Sequence, residues 1–342
     1  MKKLLTFVSA ITAGAIGTAS ADVSVSGSSN FFYASGSGDA NSTTQEDSVS
    51  TVGGTMAFAM STETTNGITV SGSATVSATT TDATSAVAAA PANGGLSQIS
   101  FGMDGMTVTL GDINNAGSGT GEGGDVTSFA SVNAERLATA AANGAAANDS
   151  AMDGIADGTG INVSTSIGAA SVDLTFVSKV GSGRNSMAST AKTTGYNSGY
   201  AVNVGFDLGG AAVNVAAGGS QAQVAGVKND SAFAVEATYP VSDTLSATIG
   251  ASDGTRGGAE EDNMFVTAAY TMDADTTLSV GYAKGDNTAS SVLDKATVTS
   301  VNISRSLGGG VSVFAEYAAV DNDNAAVATS ATSLAVGTKV SF

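Results

Sequence analysis

Apolar and small polar residues alternate along most of this chain. The segments 23–26, 106–110 and 311–313 each place an apolar residue next to a serine or threonine, again and again. A period of two is typical of β-strands that have one apolar and one polar face. Followed along the chain, this pattern predicts sixteen strands, near 23–34, 49–60, 67–78, 97–103, 105–111, 161–168, 170–179, 198–208, 211–219, 231–239, 244–251, 262–271, 276–284, 295–307, 310–320 and 331–342.

The connections between these strands alternate between short and long. The short ones are tight turns rich in Gly, Asp and Pro, as at 103–105, 208–210 and 239–243. The long ones are polar and cover 35–48, 79–96, 112–160, 180–197, 220–230, 252–261, 285–294 and 321–330. An antiparallel meander then has every long connection at one end and both termini with the short turns at the other, which is the layout of transmembrane β-barrels. A β-solenoid would show a fixed short repeat, and none is found.

The distribution of apolar and aromatic residues supports a barrel in a membrane. The last predicted strand places Leu334, Val336, Thr338, Val340 and Phe342 on one face. Aromatic residues group at both ends of the strands, which is typical of rings at the two membrane interfaces. Those near the long connections are Tyr33, Tyr200, Tyr282 and Tyr317, and those near the short turns are Tyr239, Tyr270, Phe206 and Phe342.

The first residues predict an export signal. Lys2 and Lys3 precede an apolar stretch over 4–17, and Ala19-Ser20-Ala21 fits a cleavage site. The apolar stretch is shorter than the roughly 20 residues that a membrane-spanning helix needs. The sequence therefore predicts a cleaved signal peptide at 1–21, followed by one barrel domain at 22–342.

Composition and charge remove several functional classes. The 342 residues include no His and no Cys, so the usual general base, thiol nucleophile and zinc ligands are missing, and no enzyme and no cofactor are predicted. A charge of −18, from 12 basic and 30 acidic residues, argues against nucleic-acid binding. The segments 260–263 and 321–324 offer oxygen ligands that could bind Ca²⁺, but neither has a complete calcium-loop pattern, and solvated loop acids are the favoured interpretation.

Three segments resemble the general porins of Gram-negative bacteria, most closely those of alphaproteobacteria. They are 21–27 (ADVSVSG), the fourth and fifth strands with the following Gly111-Asp112, and 334–342 (LAVGTKVSF). The resemblance implies an all-β fold, a sixteen-stranded antiparallel transmembrane barrel whose long third loop folds into the lumen. It also implies an exported outer-membrane protein, usually a homotrimer in contact with lipid, that passes small hydrophilic solutes and ions by diffusion.

The resemblance implies that the connection 112–160 sets the constriction, and its length supports a functional role, because a segment of this length without strand pattern is too long for an ordinary loop. An exposed, solvated loop with ordinary surface acids is the alternative. The candidate constriction residues are Asp112, Glu122, Asp125, Glu135, Arg136, Asp149, Asp153 and Asp157, and a short helix over 127–142 is predicted within the connection. Alternation predicts lumen-facing acids on the wall at Asp173, Asp207, Glu236 and Glu316, with Lys179 and Lys339 among the few bases there.

One departure from the porin pattern affects selectivity. General porins set a cluster of arginines opposite the acids of the constriction, but here no basic residue occurs between Lys3 and Arg136, so no pore arginine can be assigned. The excess of acids predicts a cation-preferring pore. Phe342 resembles the terminal assembly signal of outer-membrane barrels. The alternatives left open are a solute-selective channel and a non-conducting exported surface protein, either a β-solenoid or a lattice protein.

Overall fold

The computed structural model describes residues 21–38, 49–81, 98–114, 116–121, 150–152, 155–180, 196–222, 229–256, 259–287, 295–322 and 329–342. These residues form sixteen strands, each antiparallel to its neighbours in the chain, and β1 pairs with β16 to close a barrel. The strands are β1 (Ala21–Gly38), β2 (Val49–Glu63), β3 (Thr69–Thr81), β4 (Gln98–Met103), β5 (Met106–Ile113), β6 (Gly158–Ile167), β7 (Ala170–Val180), β8 (Tyr196–Leu208), β9 (Ala211–Ala222), β10 (Asp230–Ser242), β11 (Leu245–Arg256), β12 (Ala259–Thr271), β13 (Thr276–Asn287), β14 (Lys295–Gly308), β15 (Val311–Asn322) and β16 (Thr329–Ser341). The all-β barrel and its sixteen strands are confirmed.

The strand ends differ from the sequence prediction in two informative places. β5 continues through Asp112 to Ile113 and β6 begins at Gly158, so the third long connection covers 114–157. β10 passes through Pro240, which was predicted to lie in a turn, with a shift of register between Pro240 and Ser242. Proline gives no backbone N–H to a ladder, and a strand accommodates it at such an irregularity.

The two ends of the barrel domain meet beside the short turns. Ala21 pairs with Thr62, next to the turn between β2 and β3. The N–H of Phe342 donates to the carbonyl of Gly27 at 3.0 Å, and the N–H of Gly27 donates back to the carbonyl of Phe342 at 2.9 Å. This reciprocal pair extends the seam between β1 and β16, and it confirms that both strands start or finish at the short-turn end.

Large apolar side chains lie on the outside of the barrel. Phe176, Tyr200, Phe233 and Ile249 are all exposed, although they lie in the middle of paired strands. The aromatic residues predicted for two belts share this outer face by register, and most of them are exposed: Tyr33, Tyr200, Tyr239, Tyr270, Tyr282, Tyr317 and Phe342. An apolar outer band with rings at both edges is what a bilayer requires of a barrel. Across the described segments, no helix is long and apolar enough to span a membrane.

The inner face is built from small and polar residues. Ala201, Ala216 and Ala234 alternate with the outward aromatic residues and are almost fully buried. Ala216 pairs with Ala234 of β10, and Ala201 pairs with Gly218, two residues further along β9, so these small residues form one smooth patch of wall. This patch leaves room for another part of the chain to lie against the wall.

Candidate functional site

Residues 116–121 of the third long connection lie against the inner wall. The N–H of Ala116 donates to Thr175 Oγ1 on β7 at 2.8 Å, and both groups are buried. Gly117 has a φ of +97° and approaches β9 so closely that a Cβ there would lie 2.4 Å from the Ala216 methyl. Only glycine meets both conditions, so the sequence at 117 is fixed by the contact with the wall.

Residues 150–152 and 155–156 lie against the same wall. The N–H of Ala151 donates to Ser252 Oγ on β11 at 3.0 Å. Ser150 Oγ donates to the carbonyl of Thr120 at 2.7 Å, which joins the two stretches of the connection. Ile155 is 1% exposed, and a Cβ added at Gly218 of β9 would lie 2.9 Å from its Cγ2 atom.

These contacts form one apolar cluster inside the barrel. Met152, Ile155 and Ala156 pack with inward residues of the wall, among them Val177 and Ala201. Fully buried apolar side chains on the inner face of a barrel mean that the connection is packed there rather than solvated. The predicted helix at 127–142 and the rest of the connection, 122–149 and 153–154, lie outside the described residues, so the complete constriction stays a prediction.

Glu236 meets this packed segment directly. Its Oε2 atom accepts a hydrogen bond from the N–H of Gly121 at 3.4 Å. Its register partners are Asn214 on β9 and Gly250 on β11, which add no charge. The described residues of the connection that lie against the wall, 116–121, 150–152 and 155–156, are called the inner segment below. The prediction from alternation therefore identified a carboxylate that contacts the inner segment.

Asp173 belongs to a polar network on the neighbouring part of the wall. It accepts a hydrogen bond from Ser164 Oγ, which also contacts Asn162 Oδ1 at 3.1 Å. Asn162 Nδ2 donates in turn to Thr175 Oγ1 at 3.1 Å, the same hydroxyl that holds Ala116. The network thus links a lumen carboxylate to the anchor of the inner segment.

Asp207 has a local role at the short-turn end. Its Oδ1 atom accepts the N–H of Gly210 at 3.1 Å, which caps the turn between β8 and β9. Gly209 and Gly210 both have positive φ there, as a tight turn requires. Asp207 therefore lies at the mouth of the barrel and stabilises a turn as well as contributing charge.

Glu316 and Lys339 lie on the inner faces of β15 and β16. Glu316 is 1% exposed, and its Oε2 atom accepts a hydrogen bond from Asn302 Nδ2 of β14 at 3.3 Å. Lys339 is half-buried opposite Asn30 and Ser312. Both residues are thus on the lumen face that alternation predicted, on strands away from the inner segment.

The remaining predicted constriction residues are placed only in part. Asp112 lies in β5 opposite Thr159, and alternation puts it on the face away from its neighbour Ile113, which joins the inner cluster. Asp112 was predicted to lie in the connection, but β5 extends two residues past its predicted end. Asp112 is therefore a strand residue whose face is set by the register of β5. Asp157 is half-buried directly before β6. The other six, Glu122, Asp125, Glu135, Arg136, Asp149 and Asp153, lie outside the described residues.

The charged side chains described on the inner face of β6 to β11 are carboxylates. The side chains that the structure describes there include the carboxylates Asp173, Asp207, Asp230 and Glu236, and no lysine or arginine. Asp230 was predicted to lie in a loop, but it is buried and accepts from Ser220 Oγ at 3.4 Å. Among the side chains described on this part of the wall, the charged ones are acidic, while those of Lys179 on β7 and Arg256 on β11 lie outside the description.

The sequence prediction missed the residues that anchor the inner segment. Two uncharged wall residues, Thr175 and Ser252, accept hydrogen bonds from backbone N–H groups of the inner segment. A third, Asn162, donates to the Thr175 hydroxyl. Alternation could have placed Thr175 beside Asp173, but nothing local marks it as an anchor. Among the described residues, no group of three or more His, Cys, Asp or Glu side chains could hold a metal ion. Ca²⁺ binding at the loop acids stays a prediction.

Comparisons with known proteins agree with this geometry. A family model described as Gram-negative porin matches residues 6–325. Among solved structures, an anion-selective porin from Comamonas acidovorans aligns with a TM-score of 0.63 at 15% identity, covering 94% of this chain and 100% of that one. A variant of the Rh. blastica porin aligns with a TM-score of 0.62 at 16% identity and the same coverage. No curated protein matches the sequence.

Proposed function

This chain belongs to the Gram-negative porin family, and from that premise we propose that it forms a cation-preferring channel for small hydrophilic solutes. Family and fold support the coarser statement, an outer-membrane channel for solute diffusion, and no enzymatic role follows from either. The preference for cations is the finer part of the proposal.

One observation carries the preference for cations. The described inner face of β6 to β11 has four carboxylates and no basic side chain, and one of them, Glu236, contacts the inner segment. Fixed charge of one sign in a narrow water-filled passage creates a potential that concentrates the opposite ion. At physiological ionic strength the screening length is about 8 Å, so ions that pass close to this wall feel its charge.

The position of the narrowest section is also part of the proposal. The described parts of 114–157 occupy the inner side of β7 to β11, so the open passage lies between them and the opposite wall. We propose that Glu236 borders that passage, and Glu122, Asp125 and Glu135, which lie outside the described residues, stay predicted constriction residues. We infer a homotrimer in contact with outer-membrane lipid from the family alone, and cross-linking of the purified protein tests it.

Reversal potentials in planar bilayers test the selectivity. With a salt gradient, the wild-type channel should show a cation-selective potential that fades in molar salt, where screening falls to about 3 Å. Neutralising the wall with Asp173→Asn and Glu236→Gln should reduce it, and neutralising Glu122, Asp125 and Glu135 together should reduce it as well.

A matched control comes from the outer face. Asp321 lies on that face of β15, opposite Thr297, and Asp321→Asn removes one charge without touching the lumen. Selectivity should be unchanged in that variant. An anion-selective or unselective wild-type channel, or an equal effect of the control, would show that the wall carboxylates do not set the preference.

Anion selectivity is the second candidate. A solved structure with this fold is named an anion-selective porin, so the barrel by itself permits either sign. The same reversal potential distinguishes the two candidates, because its sign reverses.

A further inference from the structure

Four polar side chains on the inner faces of β6 and β7 lie side by side next to the inner segment. Asn162 pairs across the two strands with Thr175, and Ser164 pairs with Asp173. Thr175 is fully buried, and its Oγ1 atom accepts the Ala116 N–H at 2.8 Å. The Asn162 amide contacts Thr175 Oγ1 and Ser164 Oγ, each at 3.1 Å. Ser164 Oγ in turn donates to the Asp173 carboxylate, so an unbroken line of contacts leads from the inner segment to a charge.

Each hydroxyl in this line carries one proton, which limits the directions of its hydrogen bonds. With Asn162 Nδ2 directed at Thr175, the Thr175 oxygen accepts twice and its own proton has no acceptor within the line. Ser164 then has two acceptors, Asn162 Oδ1 and Asp173, for a single proton. Rotating the Asn162 amide by half a turn exchanges its nitrogen and oxygen, keeps both contacts and removes both conflicts.

We propose that Asp173 is a positioning residue, which holds the Ala116 anchor of the inner segment through a one-way chain of hydrogen bonds. The Ala116 N–H donates to Thr175 Oγ1, and the Thr175 proton goes to Asn162 Oδ1. Asn162 Nδ2 donates to Ser164 Oγ, and the Ser164 proton goes to the Asp173 carboxylate. Each hydroxyl thus accepts one hydrogen bond and donates one, so that every bond polarises the next. The chain ends on a charged acceptor, where hydrogen bonds are strongest.

The surroundings of Asp173 support this role. Its other register partner is Asn203 on β8, which is uncharged. Among the described residues, the Ser164 hydroxyl is the hydrogen-bond donor that reaches this carboxylate. Glu236 differs, because it accepts the Gly121 N–H directly and lies outside the chain. The consequence for permeation rests on the proposed function, since the inner segment is one boundary of the proposed passage.

Hydrogen exchange at the Ala116 amide, followed by NMR on the refolded full barrel, tests the chain. Asp173→Asn should accelerate this exchange about tenfold, because the charge at the end of the chain is lost. Ser164→Ala should accelerate it to a similar extent although the Asp173 charge is kept, and Ser164→Thr, which retains the hydroxyl, should preserve the wild-type rate. Glu236→Gln is the matched control, because it removes a lumen charge outside the chain, and it should leave the Ala116 rate unchanged.

The orientation of the Asn162 amide is tested in the same NMR sample. Its Nδ2 protons should show nuclear Overhauser contacts to the Ser164 β protons rather than to the Thr175 methyl group. Contacts to the Thr175 methyl group instead would break the one-way order and overturn the proposal.

The exchange rates distinguish the proposal from its rivals. Equal acceleration in Glu236→Gln would assign the effect to lost charge alone, and an unchanged rate in Asp173→Asn and Ser164→Ala would show that Thr175 holds Ala116 without the carboxylate. Equal acceleration at the Ala151 amide, which is bonded to Ser252, would indicate general loosening of the packing. Each of these results overturns the proposal. None of them fixes the sign of the reversal potential, so the cation preference of the proposed function is tested separately.

Discussion

Truncation of Ile155 should release the inner segment from the wall without unfolding the barrel. The side chain is 1% exposed and packs with Ala201, Ala216 and Met152 in the inner cluster. Ile→Ala changes at such sites cost about 2–5 kcal/mol. The strand ladder does not include Ile155, so the cost falls on the local packing of 150–152 and 155–156.

The magnitude sets what should be measured. Because each 1.4 kcal/mol is a tenfold change in an equilibrium constant, a loss of about 2–5 kcal/mol raises the population of the locally opened segment roughly 30- to 4,000-fold. Hydrogen exchange reports this opening at two amides. They are the Ala151 N–H, which is bonded to Ser252 Oγ at 3.0 Å, and the Ala116 N–H, which is bonded to Thr175 Oγ1 at 2.8 Å.

Exchange mass spectrometry on Ile155→Ala should therefore show faster exchange at these two amides, with strand amides of β7 to β11 unchanged. Ile303→Ala is the matched control, because Ile303 is an exposed residue of the outer face. Single-channel recordings of Ile155→Ala should also show more current fluctuation. If the two amides exchange less than about tenfold faster, or if the whole barrel loses protection in parallel, the inner segment is not held by this cluster.

Three further predictions concern the barrel itself. Deletion of Phe342 removes two backbone hydrogen bonds from the seam between β1 and β16. It should lower the yield of folded barrel, measured by heat-dependent gel mobility, while export is unaffected. A normal yield would refute the role of Phe342 in assembly. The N–H of Asp275, with the Thr276 hydroxyl, holds the pKa of Asp273 below its usual range. The stability that Asp273→Ala removes should therefore be full above the ordinary carboxyl pKa and vanish as pH falls through the lowered pKa of Asp273. Unfolding of both proteins at neutral and acid pH measures this difference, and a loss of stability that does not depend on pH contradicts the prediction. Gly160→Ala places a Cβ 2.2 Å from a backbone oxygen and should destabilise by about 1–3 kcal/mol, whereas Gly102→Ala, with only ordinary contacts, should be nearly neutral in the same denaturation assay.

Arg305 shows how far a local pattern can be followed. It lies on the outer face of β14, on the same side as Ile303 and near a short turn, as alternation along that strand requires. The guanidinium contacts Asp273 at 3.5 Å and Thr276 Oγ1 at 3.0 Å in the turn before β13. These partners are on another strand, so the sequence alone did not identify them. An exposed pair of this kind contributes little stability.

The sequence by itself determined the strands, their order and the two faces of the barrel. Alternation with period two and the residues of tight turns are local properties, and a meander joins each strand to its neighbour in sequence, so short-range information is enough. Even Glu236 and Glu316 were placed on the lumen face by counting along one strand.

Only the tertiary structure decided which residues of different strands, and of the inner segment, lie opposite one another. The anchoring of Ala116 by Thr175 and of Ala151 by Ser252 joins residues far apart in sequence. A row of three acids, Asp253, Asp262 and Asp286, arises from the register of three strands. Register depends on the pairing of complete strands, and the packing of 116–121 and 155–156 on the wall depends on small residues such as Gly117 and Gly218 that admit close contact. No single segment carries that information.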